Sequence, residues 1–383
     1  MNLVINCGSS SLKFAVFAGN APVLRGSVEG LSDRPELRWK TAAGETLREA
    51  LAAGCSHEAA VEEVLGRLSG ADGVESIDAV GHRVVHGGSE FTSPVRIDDA
   101  VMERLAAFSC LAPLHQEQNL AGIRAVARRR PGLPQIACFD TAFHASQPAL
   151  QTTFAVPQAW RERGIRRYGF HGVSYEFIAS QLPGELDERA DGRVVVLHLG
   201  NGASVCGMRE RRSVRNSMGM TTVDGLVMGT RCGTLDVGAA LYAEQAFGLG
   251  AEQIRHVLNH ESGLLGLSEL SNDVRVLLES EDPRAAFALD LFCERAAQEI
   301  AITAVALQGL DAIVFTAGIG ENGPQVRARI VERLGWLGLR LDADRNATNA
   351  RRIEAGDSSA AIRVIPTDEE VVIAQAMRAM RLA

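Results

Sequence analysis

Leu3-Val4-Ile5, Asn6-Cys7-Gly8-Ser9-Ser10-Ser11 and Lys13-Phe14-Ala15-Val16-Phe17 follow one another at the start of the chain and read as strand, polar loop, strand. The tip of this hairpin has room for an anion. Its glycine and serines offer backbone N–H groups and hydroxyls, and Lys13 adds a mobile positive charge. Phosphate suits such a tip; an ordinary β-turn, in which Ser and Gly only ease the bend, is the competing reading.

The pattern returns near the middle of the chain. Arg193-Val194-Val195-Val196-Leu197-His198-Leu199 reads as a strand, Gly200-Asn201-Gly202 as its turn, and Ala203-Ser204-Val205-Cys206-Gly207-Met208 as the return. Two such hairpins predict a duplicated domain. Gln135–Asp140 and Asp311–Thr316 echo each other as later buried strands, one in each half, each ending in small or polar residues.

Bulk properties narrow the class. A chain of 383 residues predicts two domains, and 46% hydrophobic residues predicts a folded one. A net charge of −8 argues against non-specific binding to nucleic acid or an anionic membrane, so an anionic substrate has to be met by local arginines. Neither a signal peptide nor a membrane span is expected: the start lacks a basic segment, and the most apolar stretch, 300–319, contains Gln308 and Asp311. Seven scattered cysteines without a C-x-x-C pair predict a reduced cytoplasmic protein without a zinc site.

A helix is expected over His57–Leu68 and a strand over 77–86, in which Arg83 and Val85 share one side by alternation. An arginine beside a small apolar group suits a short carboxylate; an exposed strand arginine is the alternative. Residues 98–130 read as helical with a break at Leu111–His115, and Arg128-Arg129-Arg130 as a solvated helix end. Asp140, directly after a buried strand, is either catalytic or a helix cap. His171 lies in the dense run Arg166-Arg167-Tyr168-Gly169-Phe170-His171-Gly172, with Ser174 expected to cap a helix Tyr175–Leu182 and a loop expected over 183–192. Residues 213–236, containing Arg231 and Cys232, read as a long functional loop, and 252–309 as mostly helical.

Gly318-Ile319-Gly320-Glu321-Asn322-Gly323 has the form G-x-G-x-x-G, with Asp342 beyond it as a candidate ribose contact, which raises a dinucleotide-dependent dehydrogenase. The motif lies too near the C-terminus to leave a second mononucleotide half. Thr367 and Glu370 are expected to form a capping box, leaving Glu369 for another partner such as a metal.

Asn6–Lys13, Gly81–Gly88, Phe139–His144, Arg167–Gly172, His198–Gly202, Met228–Arg231 and Gly318–Asn322, with Thr367–Glu370, together resemble acetate kinase and its short-chain relatives, the acetokinase family. The resemblance runs in order along the whole chain. It implies an α/β protein with a duplicated ribonuclease H-like fold of the sugar kinase and actin type, with an interdomain active-site cleft. It implies an N-terminal domain of residues 1–146 plus 368–383 and a C-terminal domain of 147–367 that binds nucleotide and dimerises. The implied activity is phosphoryl transfer from ATP to a short carboxylate, with Mg2+, or alternatively Mn2+, as cofactor and a homodimer as assembly; neither nucleic acid nor membrane is an expected partner.

By the same resemblance Asp140, His171 and Arg231 are catalytic, Asp140 orienting an arginine or the metal shell. Arg83, Val85, Leu114, Phe170 and Thr222 hold the carboxylate. Ser9, Ser11 and Lys13 form the first phosphate loop, and His198, Leu199, Gly200, Asn201 and Gly202 the second. Asp273, Val274, Arg275, Gly318, Ile319, Gly320, Glu321 and Asn322 bind adenosine, and Asn6 and Glu369 bind the metal. Three departures stand out: Thr222 where the family has proline, Gln116-Glu117-Gln118 where Asn-Pro is common, and Thr234 where an acid follows the arginine. The first two would enlarge or repolarise the pocket and admit propionate. Acetate is the expected acceptor and propionate the alternative.

Overall fold

The computed structural model describes residues 1–8, 11–31, 33–112 and 115–381. The chain divides into two compact units, Met1–Phe143 with Asp368–Ala383, and His144–Thr367.

In the first unit β1 (Asn2–Cys7), β2 (Leu12–Ala18), β3 (Ala21–Glu29), β4 (Glu36–Thr41), β5 (Thr46–Ala50), β6 (Ala79–Val84), β7 (Val95–Arg96) and β8 (Gln135–Phe139) form one sheet in the order β5-β4-β3-β2-β1-β6-β8-β7. β1 is antiparallel to β2 and parallel to β6, which is parallel to β8. All of β1 is buried, which explains its continuous apolar run. Leu3, Ile5 and Cys7 face Val61, Val64 and Leu65 of the helix His57–Leu68. Gly81, level with Val4, faces the other way, and a Cβ there would lie 2.5 Å from Ile373. Its missing side chain lets the helix Glu369–Ala379 approach the sheet.

The second unit holds β9 (Val194–Leu199), β10 (Ala203–Arg209), β11 (Arg212–Asn216), β12 (Ala312–Thr316) and β13 (Ala361–Val364), in the order β11-β10-β9-β12-β13. β9, β10 and β11 are antiparallel neighbours, while β9, β12 and β13 run parallel. The order and directions repeat those of β3-β2-β1-β6-β8, so the same hairpin opens both sheets. The expected pairing of Gln135–Asp140 with Asp311–Thr316 is off by one strand: β12 adjoins the hairpin as β6 does, and the counterpart of β8 is β13. Apolar runs show that strands are buried but not which neighbour they take.

Several local expectations change. β6 ends at Val84, so strand alternation does not place Val85 beside Arg83. The helix expected over Tyr175–Leu182 spans Gly172–Leu186 with Pro183 inside, so Ser174 lies within it and His171 is its cap residue; Asp187–Asp191 continues as a short 3-10 turn. Gly318 and Gly320 sit inside a short helix, Ala317–Asn322, not in the tight strand-to-helix turn that a dinucleotide motif requires. Asp342 accepts from the Arg345 N–H as a helix cap. The final helix is capped by Asp368, which accepts from Val371 N–H, and not by a Thr367–Glu370 box; Thr367 N–H donates to Glu321 Oε1 instead. Among the described residues no helix is long and apolar enough to cross a membrane.

Candidate active site

In the first unit the carboxyl ends of three adjacent parallel strands and the start of the last helix bring together Asn6, Arg83, Asp140 and Glu369. Arg83 Nε and Nη2 donate to the two Asp140 oxygens at 2.8 and 2.6 Å, a bidentate pair. Arg83 Nη1 donates to Asn6 Oδ1 at 3.2 Å and lies 3.4 Å from Glu369, and Asn6 Nδ2 donates to Glu369 at 2.9 Å. Burial alone would lower the Arg83 pKa, but the charges of Asp140 and Glu369 outweigh it and raise it, so the guanidinium stays protonated. Asp140 is 1% exposed.

At the hairpin tip Gly8 N–H donates to the Ser11 carbonyl, and Lys13 is exposed on β2 opposite Asn6. Ser9 and Leu114 lie outside the described residues. Val85 is buried, its N–H donating to Asn119 Oδ1, while Asn119 Nδ2 donates to the Cys7 carbonyl. Asn119 thus joins the ends of β1 and β6, a role the sequence reading missed. The signal was present: Gln116 and Asn119 share an i, i+3, i+4, i+7 stripe with Leu120 and Ile123, where polar residues need a reason. His57 Nε2 at 2.7 Å from the Gly8 carbonyl was likewise missed.

In the second unit His171 takes φ 58° before the helix Gly172–Leu186, a left-handed conformation that turns its ring towards β9 and β10. Its Nδ1 is 2.8 Å from Ser204 Oγ, which is also 2.6 Å from the Tyr175 hydroxyl, and its ring stacks on His198 with centroids 4.2 Å apart. Phe170 is fully buried, and its carbonyl accepts from His144 Nε2. The Gly200-Asn201-Gly202 turn closes with Gly200 N–H to the Gly202 carbonyl. A Cβ on Gly202 would lie 3.4 Å from His171 Nε2 and 3.7 Å from Arg231 Nη1, so these two nitrogens converge on the bare edge of the turn.

Arg231 is held by its own loop. Met228 N–H donates to the Arg231 carbonyl, Nη1 donates to the Thr222 carbonyl at 3.2 Å, and Ser262 and Leu264 N–H groups bond the carbonyls of Thr230 and Met228. Thr222 therefore braces the arginine through its backbone. Cys232 is half-buried with its thiol pushed up by burial, as for a packed side chain and not a reactive thiolate.

The remaining candidates adjoin that turn. A Cβ on Gly229 would lie 2.1 Å from Asn201 Oδ1 and 3.4 Å from Asn272 Cβ, and one on Gly200 3.9 Å from Ala317 Cβ. These approaches set the segments beginning at Asp273 and Gly318 beside Gly200–Gly202. Asp273 caps the helix Val274–Glu279 and pairs with Arg275 at 2.6 Å. Asn322 Nδ2 donates to the Gly318 carbonyl, and the buried Arg327 donates to the Gly320 and Glu321 carbonyls.

The departures resolve differently. Gln116 is fully buried and its amide is engaged with the backbone of His86 and Leu105. Thr234 Oγ1 donates to Asp224 Oδ1 at 2.8 Å, where an acid would set two carboxylates together. Asp224 in turn pairs with Arg167 at 3.0 Å. For a metal, the Asn6 amide oxygen and the Glu369 carboxylate are the donors a hard cation prefers, but here Asn6 turns its Nδ2 to Glu369 and its Oδ1 to Arg83, so its amide has to turn over to ligate. Burial, then the neighbouring Glu369 charge, pushes the Glu370 carboxyl up. Among the described residues no three His, Cys, Asp or Glu side chains gather into a closed metal site.

Comparison with known proteins concerns the chain as a whole. The model of the acetokinase family matches residues 1–375. The acetate kinase of Rhodopseudomonas palustris is 47% identical over 383 residues, covering 97% of this chain and 96% of its own. A solved propionate kinase from Francisella tularensis superposes with a TM-score of 0.92 at 36% identity, over 98% of both chains. Porphyromonas gingivalis acetate kinase does so with a TM-score of 0.86 at 34% identity, over 99% of both. A duplicated ribonuclease H-like fold and similarity along the whole chain agree: this protein belongs to the acetokinase family.

Proposed function

We propose that the protein transfers the γ-phosphoryl group of ATP reversibly to acetate, giving acetyl phosphate and ADP, with propionate as the alternative acceptor. A carboxylate oxygen attacks the γ-phosphorus, an O–P bond forms, the bond to the β,γ-bridging oxygen breaks, and ADP departs with that electron pair. Acetate, with a pKa of about 4 to 5, is already ionised at pH 7, so the reaction needs no strong base. Its barrier is the approach of two anions, which fixed positive charge and donors lower.

In this reading Arg83 binds the acceptor carboxylate, with Asp140 orienting its guanidinium. Arg231 and His171 stabilise the oxygens of the phosphoryl group in flight. Val85, Leu114, Phe170 and Thr222 wall the acceptor. Ser9, Ser11 and Lys13 of the first hairpin, with His198, Leu199, Gly200, Asn201 and Gly202 of the second, meet phosphates, and Asp273–Arg275 with Gly318–Asn322 hold adenosine. Asn6 and Glu369 would hold Mg2+, which supplies charge neutralisation on the nucleotide phosphates when bound. A homodimer formed through the second unit is supported by the helix Val237–Phe247, which buries none of its residues and exposes Val237, Leu241, Tyr242 and Phe247. A cytoplasmic setting is supported by seven scattered cysteines without a C-x-x-C pair.

The observation that carries the reading is the convergence of His171 Nε2 and Arg231 Nη1 on the glycine turn. Trapping acyl phosphate as hydroxamate, with acetate, propionate and butyrate compared by kcat/KM, tests it. ATP-dependent hydroxamate from acetate is expected; NAD-dependent turnover, or ATP binding without product, would reject it.

A further inference from the structure

His198 has a partner beneath it that phosphate chemistry does not explain. Ser174 is fully buried on the helix Gly172–Leu186, its Oγ 2.9 Å from His198 Nδ1 and 2.8 Å from Thr367 Oγ1. The Thr367 backbone is fixed in turn by its N–H on Glu321 Oε1. On its far side the His198 ring stacks against His171, tilted by 20°, and a Cβ on Gly200 would lie 4.0 Å from His198 Nε2. Nδ1 therefore faces the two hydroxyls, and Nε2 faces the glycine turn.

A neutral imidazole carries one proton, so the partner of Nδ1 decides what Nε2 presents. If Ser174 accepts from Nδ1–H, Nε2 turns a lone pair towards the turn and repels an anion there. If Thr367 donates to Ser174 and Ser174 donates to Nδ1, Nε2 carries the proton and donates to the anion. Both hydroxyl hydrogens then have acceptors, and Nδ1 is satisfied.

We propose that Ser174, supported by Thr367, is a positioning residue that holds His198 in its Nε2–H form, so that His198 donates to a phosphate oxygen and keeps the ring stacked beneath His171 in place. The proposal rests on the phosphoryl-transfer reading above. Ser174 touches no substrate; it acts through His198.

The test is 15N NMR of the full-length protein labelled at its nine histidines, with His198→Gln identifying the signal. Spectra are recorded at about pH 8, above the ordinary imidazole range. In the wild type His198 should show a bare Nδ1 and a protonated Nε2. Ser174→Ala should mix the tautomers and lower kcat about tenfold, with the KM for ATP changed less than about twofold. Thr367→Ser, which keeps the hydroxyl, should match wild type, and Thr367→Val should shift both readouts as Ser174→Ala does, which covers the case of a misfolded Ser174 variant. A proton on Nδ1 in the wild type, or tautomer and kcat both unchanged in Ser174→Ala and Thr367→Val, would overturn the proposal. A drop in kcat with the tautomer unchanged would do the same. Absence of acyl phosphate from the wild type would sink the catalytic reading while the NMR result still judged the tautomer.

Discussion

Arg83 and Asp140 show how a surface-sounding residue becomes a paired one. The sequence allowed Arg83 to be a solvated strand residue and Asp140 a helix cap; the register of β6 on β8 makes them a bidentate pair at the strand ends. Spacing within one segment carries no information on a contact between residues so far apart. Asp140→Ala leaves a guanidinium without its main partner, and should cost about 3 to 5 kcal/mol in chemical unfolding and lower kcat at least about a hundredfold. A second expectation concerns His82, His86 and His144, each pushed down to about 4, chiefly by burial. The unfolded chain takes up protons near pH 6.5 while these folded rings stay neutral. Their stabilising contribution is therefore complete above about pH 6.5 and is lost as pH falls towards 4, by about 1.4 kcal/mol per pH unit for each ring. His82→Gln should flatten that slope in urea melts recorded across the range, whereas an unchanged slope would remove His82 from this account.

Strand ends place Asn6, Arg83 and His198, whereas loops and short helices place His171, Arg231 and Gly318–Asn322. The hairpins β1–β2 and β9–β10 were legible because apolar runs flank a glycine turn, and the helix His57–Leu68 because its stripe is regular. The short helix over Gly318–Asn322 was not, since a glycine pattern reports a tight backbone without its shape, and the Arg327 that anchors it lies outside the motif. Nor was the support of Arg231, which comes from a segment about thirty residues on. There Gly263 adopts φ +64°, and a Cβ would lie 2.2 Å from the Met228 carbonyl and 2.8 Å from that of Arg231. Gly263→Ala should therefore displace the Arg231 loop. Loss of about 2 kcal/mol or more in stability, with kcat falling further than the KM for ATP rises, is the expected result; wild-type kcat and stability would show that the loop does not depend on this packing.

The two units repeat one order of five strands, with Asn6, Arg83, Asp140 and Glu369 gathered in the first, and the glycine turn, His171 and Arg231 in the second. Duplication was legible from the paired hairpins, whereas the strand-by-strand correspondence needed the pairing itself. If the exposed face of Val237–Phe247 joins two copies, Tyr242→Glu should convert a dimer to a monomer by light scattering; a wild-type monomer would rule that interface out. Substrate range is set by small differences, since one methylene is worth about 1 to 3 kcal/mol, so acetate and propionate should both react, and Thr222→Pro should shift kcat/KM towards acetate. The central proposal is that the guanidinium groups of Arg83 and Arg231 offset the repulsion between an ionised acid and the terminal phosphate of ATP. Its most direct test is single-turnover acyl-phosphate formation in Arg83→Ala and Arg231→Ala, with ATP affinity measured on the same samples. Each variant should bind ATP as wild type does and form product at least about a hundredfold more slowly; product at the wild-type rate in either one would contradict the account.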